Sequence, residues 1–301
     1  MVRSPRRLDL LPVSPNLGGT DSEGRLWDNV WVDMPEFRRD LYRGTASYYD
    51  RFRVPYPRAL SDDLLERAGV SGDGRLLDLA CGTGQISFAL RRSFGEVWAV
   101  DQEADMIRFA QRKAERAGVR NIKFITSSAQ ALLAPEESFD LIAIGNAFQR
   151  LPRETVAAKV RGWLRPGRYV ALLWSESPWH GDAPWQTAMS TLFDRWMTTI
   201  GAHSRVPPGW EQARIARPDH VILQDAGMHP VGKYQFLTAH EWTPDALIGF
   251  VYSTSFLSRE ALGDHADRFE RDLRDEINAA DPTVQLSQTI DFAYELARRP
   301  A

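Results

Sequence analysis

Residues 76–85 carry the pattern best suited to chemistry, because an apolar run there leads into a glycine turn and then into a predicted helix. Gly82 and Gly84 let the backbone approach a ligand closely and accept φ values that other residues avoid. The N-terminus of the helix offers free N–H groups and a positive dipole end, which suit an anion such as a carboxylate. Further along, a second apolar run ends in Asp101, whose carboxylate can accept hydrogen bonds from ribose hydroxyls. These residues indicate a site for a nucleoside-containing ligand.

Two ligand classes compete for this pattern. A dinucleotide site requires Gly-x-Gly-x-x-Gly or a closing alanine, and Ser87 stands at the last position, so that pattern fails. The second class is a nucleoside joined to an amino acid through a sulfonium sulfur. The spacing of Asp78, Gly82 and Gly84 resembles the first motif of the class I S-adenosylmethionine (SAM)-dependent methyltransferases. The resemblance is strong over about residues 45–175 and looser after them.

Further positions match that family in chain order. Asp101 resembles its ribose-binding acid, Gln102 and Met106 stand where members flank adenosine, and residues 127–130 follow the strand beside which members hold adenine. The family often has an aspartate near Ser128, which leaves the contact to the adenine amino group open. The resemblance implies SAM as the cofactor, bound by Tyr49, Arg53, Asp78, Ala80, Gly82, Thr83, Gly84, Asp101, Gln102, Met106, Ser128, Ala129, Gln130 and Asn146.

Residues 48–57 are similar to the Y-D-x-x-R-P-x-Y-P stretch of small-molecule members of the trans-aconitate methyltransferase type, with Val54 in place of the first proline. This resemblance implies that Tyr49 and Arg53 reach the methionine end of SAM. The alternative is that these aromatic residues belong to the core and that the arginine lies on the surface.

The hydrophobic pattern predicts the elements that must position these residues. Apolar runs over 75–80, 96–100, 121–126, 139–144 and 169–174 alternate with helical patterns over 85–94, 104–117 and 155–164, which is typical of a parallel sheet with right-handed crossovers. Alternation over 231–237 and 283–298 predicts two closing strands. The expected fold is α/β: a Rossmann-like class I methyltransferase fold, with a mostly parallel seven-stranded sheet and helices on both faces.

Composition divides the chain into five predicted parts. They are a disordered tail over 1–25, an N-terminal helical cap over 26–60, a SAM-binding core over 61–176, a substrate-lid insertion over 177–216 and a C-terminal completion of the sheet over 217–301. Within them, Ser61 is predicted to cap a helix that closes at Gly69, and Thr243 to cap another with proline at its first position.

Ligands of open α/β sheets bind beyond the carboxyl ends of the strands, so residues after the fourth and fifth core strands are expected to face the acceptor. His180 is the candidate general base, and the alternative is an exposed loop histidine. The tryptophans of the insertion either line an aromatic pocket or belong to a packed core. The predicted acceptor-facing residues are Phe148, Gln149, Arg150, Trp174, Glu176 and Trp179.

Charge and cysteine content exclude several classes of protein. The net charge of −3 gives no sign of a nucleic-acid partner, and no apolar stretch is long enough to span a membrane. The single cysteine fits a reducing cytoplasm and argues against structural zinc, and no histidine pair has metal-ligand spacing. We therefore expect a cytoplasmic protein without a metal; the sequence leaves monomer and homodimer open.

The expected activity is methyl transfer from SAM to O, N or C of a small organic molecule, and the resemblance implies a place in specialised metabolism. One alternative keeps SAM but uses it for cyclisation or rearrangement without methyl transfer. Another is a binding module that retains the fold without catalysis. A nucleic-acid methyltransferase would need a basic face and an N-P-P-Y-like motif, which residues 145–148 do not provide.

Overall fold

Eight strands form one mixed sheet in the computed structural model, which describes residues 6–8, 40–70, 72–205, 214–280 and 286–301. The strands are β1 (Arg6–Leu8), β2 (Arg75–Leu79), β3 (Glu96–Asp101), β4 (Ile122–Thr126), β5 (Phe139–Gly145), β6 (Leu164–Ser175), β7 (His229–Trp242) and β8 (Leu286–Arg298). Their order across the sheet is β1-β7-β8-β6-β5-β2-β3-β4. The contacts from β6 to β4 are parallel, whereas β8 pairs antiparallel with both β6 and β7.

Ten α-helices of the described residues surround this sheet. They are α1 (Ala46–Phe52), α2 (Arg58–Ala68), α3 (Gln85–Leu90), α4 (Ala104–Arg116), α5 (Arg153–Trp163), α6 (Pro184–Thr199), α7 (Asp219–Asp225), α8 (Pro244–Tyr252), α9 (Arg259–Leu262) and α10 (Ala266–Ala280). Short 3₁₀ turns lie at Arg91–Ser93, Phe148–Arg150, Ala202–Arg205 and Gly263–His265.

The predicted class I methyltransferase fold is confirmed by this topology. Strands β2 to β8 form the seven-stranded sheet, and β2 and β5 are almost wholly buried, as expected of strands covered on both faces. The additional strand, Arg6–Leu8, pairs antiparallel with the outer edge of β7. These three residues fall in the segment predicted to be a disordered tail, so that prediction is wrong for them, while residues 1–5 and 9–25 lie outside the described part.

A helical cap covers one end of the sheet and is larger than the sequence predicted. Helix α6, from the expected insertion, packs along α10, where Trp196 Nε1 donates to Asp272 Oδ2 at 3.2 Å. Helix α8 packs on α1. The sequence places residues 243–280 in the part that completes the sheet and predicts a helix after Thr243. The structure forms three helices there, α8 to α10, which lie between β7 and β8 in the chain and belong to the cap. Phe269 and Leu273 lie on the buried face of α10, the helix that packs along α6 of the insertion.

Two helix starts and one helix end can be compared with the signals in the sequence. Ser61 is not an N-cap: α2 begins at Arg58 after Pro57, whose fixed φ of −62° suits a helix start, and Ser61 is a buried residue inside it. Thr243 does cap α8 as predicted, since its hydroxyl accepts the backbone N–H of Ala246 at 3.1 Å. Gly69 ends α2 in the left-handed conformation, also as predicted.

None of the helices in the described part has both the length and the hydropathy of a membrane-spanning segment. Over the same residues, no group of three or more His, Cys, Asp or Glu side chains has the arrangement of a metal site.

Candidate functional site

A cavity opens where the carboxyl ends of β2, β3, β4 and β5 meet. This is the point of an open α/β sheet at which the strand order reverses and a crevice forms. The wall above the strand ends comes from residues just before and within α1. The lining residues are Leu41, Tyr42, Tyr49, Ala80, Gly82, Asp101, Gln102, Glu103, Met106, Ser127, Ala129, Gly145, Asn146, Ala147, Arg150 and Leu151.

The turn after β2 forms the floor of this cavity. Ala80 and Gly82 have φ values of 58° and 55°, and the N–H of Gly84 (φ 83°) donates to the Cys81 carbonyl at 2.9 Å. A β-carbon at Gly82 would lie 3.6 Å from the Tyr49 ring, so glycine keeps the backbone open beneath that ring. A β-carbon at Gly84 would instead lie 3.1 Å from Phe88, so the second glycine permits α3 to pack and does not itself face the cavity.

Asp101 ties the end of β3 to that turn. One carboxylate oxygen accepts the Gly82 N–H at 2.8 Å and the other accepts the Glu103 N–H at 2.9 Å. Burial raises the pKa of Asp101, and these backbone donors partly offset that effect. A carboxylate has about four lone-pair sites, so the bonds leave capacity for hydroxyl donors from the cavity.

Asp78 lies beneath the turn with one oxygen satisfied and one not. Its Oδ2 accepts both the N–H (2.9 Å) and the hydroxyl (2.6 Å) of Ser87, at the start of α3. Its Oδ1 is buried and has no hydrogen-bond partner among the described residues. Burial raises the pKa of Asp78 to about 7, although the bonds from Ser87 oppose this.

Asp78→Asn is expected to remove a pH dependence from the stability of the protein. Between about pH 4 and pH 7 the folded Asp78 holds a proton that the unfolded residue releases, so wild-type stability falls as pH rises through this window. Asparagine keeps the acceptor for Ser87 and does not titrate. Urea unfolding of both proteins at pH 5 and pH 7.5 should show the variant gaining relative to wild type at the higher pH; an unchanged difference would contradict the raised pKa.

Asn146 braces the ends of β5 and β6. Its backbone is left-handed (φ 52°), its Oδ1 accepts the Ser175 N–H at 3.0 Å, and its Nδ2 donates to the Tyr56 hydroxyl at 3.1 Å. The same amide nitrogen also lies 3.2 Å from Ser175 Oγ. A β-carbon at the preceding Gly145 would lie 2.9 Å from the Tyr56 hydroxyl and 2.6 Å from Ile86. The amide of Asn146 is thus committed to the protein and shapes the cavity wall.

Helix α1 supplies Tyr49 to the cavity and holds it with Arg53. The Arg53 guanidinium lies 4.9 Å from the centre of the Tyr49 ring and 4.3 Å from that of Phe250. Its Nε donates to Ser253 Oγ at 2.7 Å. Burial raises the pKa of Tyr49, which keeps the phenol protonated and therefore able to donate a hydrogen bond. Arg53 itself does not line the cavity; it connects α1 to the cap.

The far side of the cavity, at the end of β5, is defined by Leu41, Tyr42, Ala147, Arg150 and Leu151, and we call it the Arg150 side. Arg150 Nη1 donates to the Tyr42 hydroxyl and, at 3.1 Å, to Ser255 Oγ, and the guanidinium lies 5.4 Å from the centre of the Tyr42 ring. Tyr42 links this side to the segment after β3, because its backbone N–H bonds to Glu103; burial raises the pKa of that carboxyl, and this bond opposes the rise.

The cavity gathers part of the predicted cofactor set. Eight of those residues line it: Tyr49, Ala80, Gly82, Asp101, Gln102, Met106, Ala129 and Asn146. Six do not line it: Arg53, Asp78, Thr83, Gly84, Ser128 and Gln130. Thr83 is wholly buried, and its hydroxyl has no hydrogen-bond partner in the described structure.

Sequence reasoning missed several lining residues. Leu41 and Tyr42 lie in an aromatic stretch that predicts only a helical cap. Glu103 stands two residues after Asp101, at the start of α4, where a carboxylate is common because it interacts favourably with the helix dipole. The proximity of Glu103 to Asp101 was the available signal. Ser127, Gly145, Ala147 and Leu151 complete the missed set.

The predicted acceptor-facing residues lie elsewhere, with the exception of Arg150. Phe148 is buried in the core, Gln149 donates to the Asn146 carbonyl at 3.3 Å, and Lys233 Nζ lies 4.6 Å from the centre of the Trp174 ring. The Glu176 N–H bonds to β8 at Asp291. These four residues do not line the cavity, and their assignment to the acceptor remains a prediction.

Trp179 and His180 lie in the cap. The Trp179 ring makes edge-to-face contacts with Phe193, Phe250 and Phe256 at 5.2–5.7 Å between centroids. This ring therefore belongs to a packed aromatic core and does not line an open pocket. His180 is exposed beside it and does not line the cavity. The geometry therefore gives the proposed base no contact with this site.

The cavity fits a nucleoside joined to a cationic amino acid. Asp101 offers acceptor capacity at the β3 end, and the glycine turn leaves space beneath Tyr49. Glu103 lines the cavity, and its buried Oε1 has no hydrogen-bond partner among the described residues, so it would gain from a donor on a ligand. These acceptors match ribose hydroxyls and an ammonium group, both of which donate hydrogen bonds.

Comparison with known proteins bears on the same segment. Residues 76–167 match the family profile described as a methyltransferase domain. A demethylmenaquinone methyltransferase of Geobacillus kaustophilus is 28% identical over 146 residues, which are 46% of this chain and 62% of the relative. One from Staphylococcus aureus is 31% identical over 134 residues, 43% of this chain and 53% of the relative. The matches thus span less than two thirds of these relatives.

A solved structure supports the fold. The structure of a type II methyltransferase from Anaeromyxobacter dehalogenans superposes with a TM-score of 0.53 and 20% sequence identity, and it covers 82% of this chain and 97% of its own. At this identity the likeness concerns the fold alone.

Proposed function

We propose, from the class I SAM-dependent methyltransferase domain formed by residues 76–167, that this chain transfers a methyl group from SAM to a small organic acceptor. The observation that carries the proposal is the junction of Asp101 with the Gly82 turn at the mouth of the cavity. It places a carboxylate and an open glycine backbone side by side where the strand order of the sheet reverses.

The residues around the cavity divide the work of holding the cofactor. Asp101 accepts hydrogen bonds from the ribose, with Gln102 and Met106 against the adenosine. Asp78 holds the start of α3 beneath the glycine turn through its bonds from Ser87, and Tyr49 closes the methionine end from above. When bound, SAM supplies a methyl group on a positively charged sulfur, which is already strongly electrophilic.

The protein's remaining task is to align the acceptor and exclude water. Asn146 is fixed by its bonds to Tyr56 and Ser175. Together with Tyr49 it forms a rigid wall between the Arg150 side and the part of the cavity around Gly82 and Asp101, which we call the cofactor half. Because burial raises the pKa of Tyr49, its phenol acts as a donor and not as a base at neutral pH. We therefore place the acceptor on the Arg150 side, with Tyr49 orienting it. The resemblance to trans-aconitate-type enzymes bears only on residues 48–57 and does not name this acceptor.

Calorimetric titration with SAM and S-adenosylhomocysteine tests the cofactor site, with ATP and NADH as nucleotide controls. We expect micromolar affinity for the first two and none for the controls. Absence of SAM and S-adenosylhomocysteine binding by the folded protein would refute the proposal.

Acceptor turnover is then followed by release of S-adenosylhomocysteine. Methyl transfer requires one S-adenosylhomocysteine per product. Conversion of an acceptor without that release would indicate cyclisation or rearrangement, and tight SAM binding without turnover on any acceptor would indicate a binding module.

A further inference from the structure

The Arg150 side of the cavity combines one guanidinium with apolar side chains. Arg150 is half-buried there, and Leu41 and Leu151 line the same wall. A guanidinium keeps its charge under all physiological conditions, and partial removal from water makes an anionic contact more favourable than it is at an open surface. This side is therefore suited to a ligand with an apolar body and an acidic end.

The guanidinium is also held in place before any ligand arrives. Ser255 Oγ accepts a bond from Nη1 at 3.1 Å, and the Tyr42 ring lies 5.4 Å from the guanidinium carbon. Two further arginines fix the turn that carries Ser255: Arg53 Nε donates to Ser253 Oγ and Arg205 Nε donates to the Ser255 carbonyl, both at 2.7 Å. Because these contacts are in place, little entropy is lost when Arg150 engages a planar anion.

Two carboxylates, Asp101 and Glu103, are among the described residues that line the rest of the cavity. Asp101 lies at the β3 end and is bonded to the N–H groups of Gly82 and Glu103. Glu103 faces Tyr42, Arg43, Asp40 and Asp101, and burial raises its pKa to about 7, so it is partly protonated at neutral pH. Among the described residues of the Arg150 side, Arg150 is the charged one.

We infer that the methyl acceptor carries a carboxylate or another planar anionic group, which Arg150 binds while Leu41, Tyr42 and Leu151 contact its apolar body. This inference rests on the proposed function, because it names the acceptor class of the same cavity. It also assigns Arg150 to acceptor recognition and not to the methionine carboxylate of SAM.

The test uses the full chain saturated with S-adenosylhomocysteine and matched pairs of probes. The probes are 4-hydroxybenzoate, 4-hydroxycinnamate, succinate and octanoate, each beside its primary amide. We expect at least one acid to bind about 10-fold more tightly than its amide, an advantage typical of one charge-assisted contact. Arg150→Met should abolish that preference, Arg150→Lys should retain part of it, and Arg195→Met, on the exposed face of α6, should leave it unchanged.

Three results would overturn the inference: amides that bind as well as acids, an acid preference that survives in Arg150→Met, or no binding by any acid. Titration of Arg150→Met with S-adenosylhomocysteine and with 5′-methylthioadenosine, which lacks the amino-acid part, separates the two roles of the residue. A loss confined to S-adenosylhomocysteine would assign Arg150 to the cofactor. Failure of wild type to bind S-adenosylhomocysteine would instead refute the proposed function.

Discussion

Asp101→Ala is expected to weaken SAM binding about 100-fold, or about 2.7 kcal/mol. The carboxylate lies at the carboxyl end of β3, lines the cavity and holds the Gly82 N–H at 2.8 Å. Alanine removes the acceptor proposed for the ribose and also releases the glycine turn. Calorimetric titration of both proteins with SAM measures the difference.

Asp140→Ala is the matched control for this result. Asp140 is also a buried aspartate that accepts a backbone N–H, from Arg75 at 2.9 Å, and it pairs with Arg165 and Arg168. It lies near the start of β5, at the amino ends of the parallel strands, whereas the cavity lies at their carboxyl ends. Its loss should reduce stability and leave SAM affinity unchanged. A folded Asp101→Ala protein with wild-type affinity would remove Asp101 from the site.

The largest expected effect on stability comes from Asp219→Ala. Arg153 is 1% exposed, and its Nη1 donates to Asp219 Oδ1 at 2.9 Å and to the Arg217 carbonyl at 2.7 Å. Removal of one member of a buried ion pair leaves a charge in a poorly solvated position, which costs about 3–5 kcal/mol. The free energy of unfolding from urea titration should fall by that amount.

Helix α7, which begins at Asp219 and ends at Asp225, offers a control at the surface. Asp225 pairs with Arg217 at 2.7 Å, but both side chains are largely exposed, so Asp225→Ala should cost less than about 1 kcal/mol. The double variant Arg153→Met/Asp219→Ala should recover much of the loss, because no charge then remains buried. Equal destabilisation by Asp219→Ala and Asp225→Ala would show that the Arg153 pair does not act as a buried one.

The part of the cavity at the ends of β2 and β3 could be predicted because its determinants are local. Asp78, Gly82 and Gly84 lie within one strand–turn–helix unit, and Asp101 ends the next strand, so strand order alone brings them to one edge. The Arg150 side depends on contacts between distant segments. Tyr42 meets Arg150, and Ser255 meets both Arg150 and Arg205, and no periodicity in the sequence encodes those pairings.

The structure places His180 and helices α8 to α10 elsewhere than the sequence predicts, and in both cases the prediction relied on position along the chain. His180 follows the fifth core strand, where ligand contacts are common, but the chain there turns outward, with the His180 N–H bonded to the Ser177 carbonyl. Helices α8 to α10 fall in the part predicted to complete the sheet, because the predicted closing strands flank them on both sides. The packing of α10 on α6 and of α8 on α1 shows that they belong to the cap.

The long connection between β7 and β8 has a consequence for the order of folding. These strands pair from His229 with Arg298 to Trp242 with Leu286, yet residues 243–285 separate them, so no tight turn can nucleate the hairpin. Closing so long a loop costs entropy before any pairing is gained, which slows formation of such contacts. The cofactor half, made by consecutive strands and helices, can form early. The turn at Ser253–Ser255 lies inside the loop, so we expect the wall that positions Arg150 to be among the last parts of the molecule to become ordered.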